Sequence, residues 1–133
     1  MSLEARIRAL ESRNEIMELT ARYAQHVTSG DIDALMDLFT PDGTFGAPEK
    51  RLTGEALRNM LVNDITPGDR VPLVVNHIID LLDDEARGTC SMYAPWSPYG
   101  PLCGYYKDVY VCNTGRWQFK ERWFTFFPTP IAT

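Results

Sequence analysis

The sequence predicts an α+β fold in which a curved antiparallel β-sheet packs against helices that precede it in the chain. Up to about residue 65 the apolar residues recur every three or four positions, as on a helix face, whereas after Arg70 they alternate as in β-strands. A chain of 133 residues with 44% apolar side chains is typical of one globular domain. We therefore expect a single domain over residues 1–133, with helices at about 3–65 and the sheet at about 71–127.

The first predicted helix runs from about Leu3 to Ser29, where Gly30 follows as a common helix-ending residue. A second apolar stripe joins the first from Ile16 onward, so the later turns should be covered on more than one side. Asp31 is expected to cap a second helix, whose apolar residues are Ile32, Leu35, Met36 and Phe39.

A turn, a short strand and a third helix complete the first half. Residues 40–43 read Thr-Pro-Asp-Gly, which is typical of a turn, and a short strand is predicted at residues 44–45. Thr53 is expected to cap the third helix, which residues 67–68 end. In the second half, apolar residues alternate with other residues in four predicted strands, at residues 71–82, 87–94, 102–112 and 116–127.

The predicted strands are apolar on both faces. In the first of them Val71, Leu73 and Val75 share one face, while Val74 and Ile78 lie on the other. One face can pack on the helices, and the other needs a different cover. A second copy of the chain is the simplest cover, so we expect a homodimer through the outer sheet face.

Charge and hydropathy exclude several partners. The net charge is −5 and no basic run is present, so we expect no nucleic-acid partner. No apolar stretch approaches the roughly 18–20 residues of a membrane helix, so we expect no membrane partner. The first residues show neither a signal peptide nor a lipidation motif, and the odd set of Cys90, Cys103 and Cys112 fits reduced thiols, so we expect a cytoplasmic protein.

Nucleotide-binding, esterase and zinc-protease motifs are missing from the sequence. It has no phosphate-binding glycine loop, no G-x-S-x-G and no H-E-x-x-H. With two histidines and no cluster at metal-ligand spacing, we expect no metal site and no cofactor. Chemistry by carboxylates, phenols and imidazole remains.

Several segments resemble SnoaL-like and ketosteroid-isomerase-like proteins of the nuclear-transport-factor-2-like superfamily. The resemblance rests on residues 22–35, 38–45, 76–77, 83–88, 104–108 and 115–117. It implies a cone-shaped sheet wrapped on long helices, with a blind apolar pocket inside and a dimer interface on the outer sheet face. It also implies isomerase, dehydratase or cyclase chemistry. Residues 95–101 would then form a lid edge or a dimer contact, and residues 126–131 would cover the mouth of the cone.

The resemblance places Tyr23 where the isomerase has its oxyanion-hole tyrosine, and Asp108 where it has a buried carboxylic acid. A phenol can donate to a ketone oxygen that gains charge as an enolate forms. Asp108 shares a strand parity with Tyr110, so burial among phenols should raise its pKa and keep it un-ionised as a second donor. The alternatives are a Tyr23 packed in the core and an exposed Asp108 paired with Lys107 or Arg122.

The family's base positions are changed in this sequence. The isomerase base aligns with Ala47, which has no proton acceptor, and Glu49 can replace it only if its loop turns inward. The Asp/His pair of the dehydratases aligns with Thr28 and Pro72. A different group must therefore move the proton if the protein is an enzyme.

Two histidines are candidates for that group. His26 lies three residues after Tyr23 on the same helix face, and imidazole titrates near neutrality. The alternative is a histidine at the helix rim bonded to a backbone carbonyl. If Pro72 points into the cone, regular alternation turns Asn76 inward and His77 outward, unless a bulge shifts the register.

We expect a cofactor-independent acid/base enzyme acting on a hydrophobic cyclic or polycyclic substrate. Tyr23 and Asp108 would stabilise the oxyanion, and His26 or a carboxylate would move the proton. The opposing interpretation is a non-catalytic dimeric binding module for a hydrophobic ligand, and a third is a dimerisation domain whose interior is filled by side chains. The predicted substrate-binding residues are Asn76, Met92, Tyr106 and Tyr110.

Overall fold

The structure is a computed structural model that describes residues 1–47 and 49–127. The first helix, α1 (Leu3–Ser29), begins at Ser2, which caps it by accepting a hydrogen bond from the Ala5 amide. Gly30 ends it in the left-handed conformation with φ 72°, where a side chain would be strained. The predicted cover on its later turns is confirmed by the burial of Ile16, Leu19, Tyr23 and Val27.

The two shorter helices differ from the prediction at their ends. Asp31 caps α2 (Ile32–Asp37) as predicted, but this helix stops before Phe39, because Phe39 begins a strand. In front of α3 (Gly54–Asp64), the Thr53 hydroxyl donates to a carbonyl of that strand instead of capping the helix. The region between α2 and α3 therefore holds more strand than predicted.

In the described residues, six strands form one open sheet in the order β2-β1-β6-β5-β4-β3. Neighbours are antiparallel except β1 and β6, which run parallel. The predicted α+β fold is confirmed, and this one parallel pair makes its sheet mixed. The strands are β1 Phe39–Ala47, β2 Lys50–Thr53, β3 Leu73–Leu82, β4 Glu85–Ala94, β5 Leu102–Asn113 and β6 Arg116–Phe126.

The core lies between α1 and one face of the sheet, which we call the inner face. On β5 the inner face carries Tyr106, Asp108 and Tyr110, all buried, whereas Tyr105 and Lys107 lie on the opposite, outer face. The Tyr23 ring of α1 packs on the inner face, 6.0 Å from the Tyr106 ring centroid. The predicted shared face of Asp108 and Tyr110 is confirmed.

A bulge reverses the faces of β3 midway along the strand. Between Val75 and Ile78, three steps on β3 match two steps on β4. Asn76 lies in the bulge with φ 60° and is exposed, whereas His77 is half-buried and contacts Thr20 of α1. The expectation that Asn76 points inward and His77 outward is therefore wrong, and Asn76 does not line the interior.

The mouth of the predicted cone is described only in part. Residues 128–131 of the segment predicted to cover it lie outside the described residues. In the loop at residues 95–101, the Tyr99 hydroxyl donates to Asp64 at the end of α3, and Arg70 bonds the same aspartate.

Among the described residues, no helix combines the length and apolar character that a membrane crossing requires.

Candidate functional site

A buried ion pair lies at the centre of the inner face. Arg122 on β6 is 0% exposed, and Asp108, directly opposite on β5, is 3% exposed. Arg122 Nε lies 3.2 Å from Asp108 Oδ1, and the Tyr110 hydroxyl donates to Asp108 Oδ2 over 2.7 Å. The pairing of two strands thus holds opposite charges together inside the core, where little water screens them.

Aromatic rings enclose the Arg122 guanidinium. Its Cζ atom lies 3.5 Å from the ring centroid of Tyr106, 4.4 Å from that of Tyr23 and 4.5 Å from that of Phe119. A cation over an aromatic face gains up to about 2 kcal/mol when both are desolvated. We call Arg122, Asp108, Tyr23, Tyr106 and Phe119 the arginine cage.

The arginine cage leaves polar atoms without partners. Among the described residues, Arg122 Nε and Nη1 and Asp108 Oδ1 make no hydrogen bond, since Nε and Oδ1 are close but poorly aligned. Arg122 Nη2 has a weak acceptor, Cys90 Sγ, 3.6 Å away. Buried polar groups normally find partners, so these atoms are exceptions in the core.

The pKa of Asp108 is raised to about 6, because burial disfavours the carboxylate more than Arg122 and the Tyr110 hydrogen bond favour it. The predicted direction is confirmed. Asp108 accepts a hydrogen bond from Tyr110 and lies against Arg122, and the un-ionised donor form expected from the sequence stays a prediction.

The phenols of the arginine cage keep their protons. Burial raises the pKa of Tyr106 to about 12, with Arg122 opposing the rise. The pKa of Tyr23 also lies far above its ordinary value, first because of burial and then because of Tyr106. Both hydroxyls are therefore hydrogen-bond donors at physiological pH, which is what the oxyanion hypothesis requires of Tyr23.

His77 is the functional candidate that the sequence interpretation placed on the wrong face. The Thr20 hydroxyl lies 2.8 Å from the Met17 carbonyl oxygen, to which it can donate, and 2.7 Å from His77 Nε2. With its proton on the carbonyl, the Thr20 oxygen accepts from Nε2, and this arrangement puts the ring proton on Nε2 and leaves Nδ1 as the acceptor. Burial, and then the charge of Arg122, lower the pKa of His77, which keeps the ring neutral at physiological pH and makes it a weaker base than a free imidazole.

The other predicted residues divide between the interior and the surface. Met92 is buried on the inner face, and Tyr110 is buried with its hydroxyl bound to Asp108. His26 lines a surface cavity of about 530 Å³ between α1, α2 and the β5–β6 turn, and this cavity does not include Tyr23. Glu49 is exposed, so it does not replace the missing base of the isomerase.

Four cavities of about 530–830 Å³ in the described part of the chain lie away from Arg122, and Tyr23, Tyr106 and Arg122 line none of these four. One of them, of about 740 Å³, lies over the outer face and is lined by charged residues of both signs, including Arg51, Lys107 and Glu121, and by Asp108. The described residues contain no group of three or more His, Cys, Asp or Glu side chains arranged to hold a metal ion.

Comparison with known proteins identifies the family. The sequence profile of the SnoaL-like domain matches residues 8–123, which is most of the chain. The chain belongs to the SnoaL-like domain family. This confirms the resemblance drawn from the sequence. No curated protein sequence matches the chain at a significant level.

Solved structures share the fold of this chain. An NTF2-like protein with a cystatin-like fold from Novosphingobium aromaticivorans matches with a TM-score of 0.83 and 24% identity, covering 98% of this chain and 91% of its own. A scytalone dehydratase-like protein from the same organism matches with a TM-score of 0.80 and 24% identity, covering 90% of this chain and 86% of its own. LinA matches with a TM-score of 0.79 and 19% identity, covering 95% of this chain and 93% of its own. At these identities the similarity establishes the fold alone.

Proposed function

We propose that this SnoaL-like protein is a cofactor-independent acid–base enzyme of the isomerase or dehydratase type. Its substrate is a small hydrophobic cyclic molecule with a carbonyl or hydroxyl group. Arg122, Tyr23 and Tyr106 bind the substrate oxygen, and His77 moves the proton. The observation that carries this proposal is the fully buried Arg122, whose Nε and Nη1 have no acceptor among the described residues.

The proposed reaction begins at a carbon next to the substrate carbonyl. His77 Nδ1 takes a proton from that carbon, and the bonding electron pair moves onto the oxygen to give an enolate. The guanidinium and the phenols stabilise that charge more than the neutral carbonyl, which lowers the barrier. Return of the proton to another carbon gives an isomer, and its transfer to a departing hydroxyl gives water and a dehydrated product.

Substrate entry requires a change inside the arginine cage. Arg122 lies 3.5 Å above the Tyr106 ring and fills the space that a planar substrate would use. In the proposed complex the substrate ring replaces the guanidinium on this aromatic face, and the guanidinium moves to the substrate oxygen. Met92, buried on the same sheet face, adds an adaptable apolar contact.

A ligand screen by thermal shift tests the proposal. The panel contains hydrophobic ketones, polycyclic phenols and hydroxylated sterols, because a ligand that binds only the folded state raises its melting temperature. We expect a panel member to stabilise the wild type and Tyr105→Phe, a matched change on the outer face, and to stabilise Tyr106→Phe and Tyr23→Phe less. Equal stabilisation of all four proteins, or of none, contradicts the proposed site.

The packing around Arg122 favours a second candidate, a dimeric module without catalysis. Arg122 and the three rings around it already fill the region in which a pocket was predicted. A panel ligand that binds the wild type and is recovered unchanged after long incubation supports a binding module. The absence of any stabilising ligand supports a dimerisation domain.

We also propose that two copies associate through the outer sheet face in the cytoplasm. Leu73, Val75 and Ile78 on β3 are 49%, 51% and 73% exposed, which is unusual for neighbouring apolar residues of a sheet. The outer cavity carries both charge signs, including Lys107 and Glu121, and a two-fold contact can pair such a surface with itself. Sedimentation of the wild type as a dimer, and of Ile78→Glu as a monomer, supports this; a monomeric wild type contradicts it.

A further inference from the structure

The bulge in β3 determines which residues of this strand face the core. Val74 packs on the inner face before the bulge, and Ile79, only 7% exposed, does so after it. Regular alternation from Val74 would instead turn Asn76 inward and His77 and Ile79 outward. The one extra residue therefore gives His77 its inward position.

The backbone at Asn76 makes the bulge possible. Its φ of 60° lies in the left-handed region, which Gly, Asn and Asp adopt more readily than β-branched residues. The neighbouring strand accommodates the displaced chain, because a Cβ on Gly88 would lie 2.7 Å from the Ile78 carbonyl oxygen. The left-handed backbone at Asn76 on β3 and the lack of a side chain at Gly88 on β4 thus both permit the bulge.

The inward position brings the His77 ring to Thr20. Nε2 lies 2.7 Å from the Thr20 hydroxyl, which also lies 2.8 Å from the Met17 carbonyl oxygen and can donate its proton to it. Arg13 of α1 also donates to the Ile79 carbonyl at 2.5 Å, which anchors the strand just after the bulge. The helix therefore holds both the imidazole and the shifted backbone.

We propose that Asn76 is a positioning residue whose left-handed backbone turns His77 inward and fixes its Nε2–H tautomer through Thr20. Nδ1 is thereby left as the proton acceptor, although Asn76 itself is exposed and lies on the other face of the strand. The catalytic meaning of this role rests on the proposed function. The tautomer does not, because it can be measured without any substrate.

Long-range ¹H–¹⁵N spectra of the histidine rings test the proposal, with the His26 signals assigned by His26→Gln. We expect the wild type to show a protonated Nε2 and a bare Nδ1 at His77. Asn76→Gly and Asn76→Asp should keep this signature, since both residues tolerate the left-handed region, whereas Asn76→Val should lose it. Asp80→Val is the matched control: it places the same side chain at an exposed β3 position and should keep the signature.

Two results overturn the proposal. One is an unchanged Nε2–H signature in Asn76→Val. The other is loss of the signature in Asn76→Gly, which would show that the asparagine side chain matters and its backbone conformation does not. If Asn76→Val fails to fold, Asn76→Ala takes its place, and a mixture of both tautomers is then the expected result.

The proposed function and the positioning role can fail separately. If the His77 tautomer changes with the residue at position 76 but no panel ligand stabilises the protein, the positioning role is supported and the proposed enzyme is contradicted. With a substrate in hand, kcat should fall at least about tenfold in Asn76→Val with a smaller change in KM, and recover in Asn76→Gly. Equal kcat values in these two variants would contradict the link between the role and catalysis.

Discussion

The two faces of the sheet carry similar ion pairs in different surroundings. On the inner face, Asp108 and Arg122 are both buried and lie 3.2 Å apart. On the outer face, Glu121 and Arg51 lie 3.1 Å apart, with side chains that are 34% and 59% exposed. Water screens the outer pair and its partners rehydrate when separated, so similar distances correspond to very different energies.

The largest effect is expected from breaking the inner pair on one side. Asp108→Ala leaves Arg122 buried without its counter-charge, which should lower the free energy of unfolding by about 3–5 kcal/mol. Lys107→Ala, the next residue on the outer face, should change it by less than about 0.5 kcal/mol. Urea denaturation measures both values, and equal losses would contradict the assignment of faces.

A smaller effect is expected from removing one hydrogen bond to the inner carboxylate. Tyr110→Phe keeps the buried ring but deletes the hydroxyl that donates to Asp108 over 2.7 Å. The loss should be about 1.5–3 kcal/mol, because the acceptor is charged. Tyr105→Phe is the outer-face control, and a loss in the control that matches Tyr110→Phe would contradict the comparison.

The pH dependence of stability separates His77 from its neighbours. Because the folded pKa of His77 is lowered, the stability that depends on its neutral ring is complete above its unfolded pKa of about 6.5 and is lost as the pH falls below that value. Asp108 acts in the opposite sense: its folded pKa is raised to about 6, so its contribution is complete below about pH 4 and is lost as the pH rises through 6.

Comparing the wild type with His77→Gln isolates the histidine, because Asp108 is present in both proteins. The advantage of the wild type in free energy of unfolding should shrink between pH 7.5 and pH 5. Guanidinium titrations at several pH values measure this difference. An advantage that grows toward low pH would mean that His77 is charged in the folded protein.

The smallest effect is expected at the outer pair. A double-mutant cycle of Arg51→Ala and Glu121→Ala should give a coupling energy of about 0.2–1 kcal/mol, which salt reduces. The Arg51 guanidinium also lies 5.5 Å from the Trp123 ring, so the single Arg51 variant contains a second small loss. A coupling energy as large as that of the inner pair would show that the outer face is covered in solution.

Much of the fold followed from local patterns. The stripes on α1, the Asp31 cap and the hairpin turns each depend on neighbouring residues, so period and turn chemistry predict them. The parallel contact of β1 with β6 depends on residues about 80 positions apart, such as Phe39 and Phe119, and no local pattern reports it. Alternation does not predict the bulge at Asn76, because it assumes a strand without extra residues.

The site was predictable only where it followed strand parity or the family resemblance. Parity placed Asp108 and Tyr110 on one face, and the resemblance placed Tyr23 in the interior. Arg122 entered the sequence interpretation only as the partner of an exposed Asp108, because a lone arginine in a strand usually faces water. Strand alternation does not identify Arg122 as a buried residue either. Trp117 and Phe119 face the core, but the register of β6 against β5 shifts before Arg122, so counting every second residue from Phe119 does not lead to Arg122.

The most direct test of the buried pair is an NMR titration of the Asp108 carboxyl carbon, assigned with Asp108→Asn. A carboxylate held inside the core beside Arg122 should titrate with a pKa of about 6. An ordinary pKa near 4 would show that water reaches the carboxyl, and would contradict the arginine cage as a desolvated site.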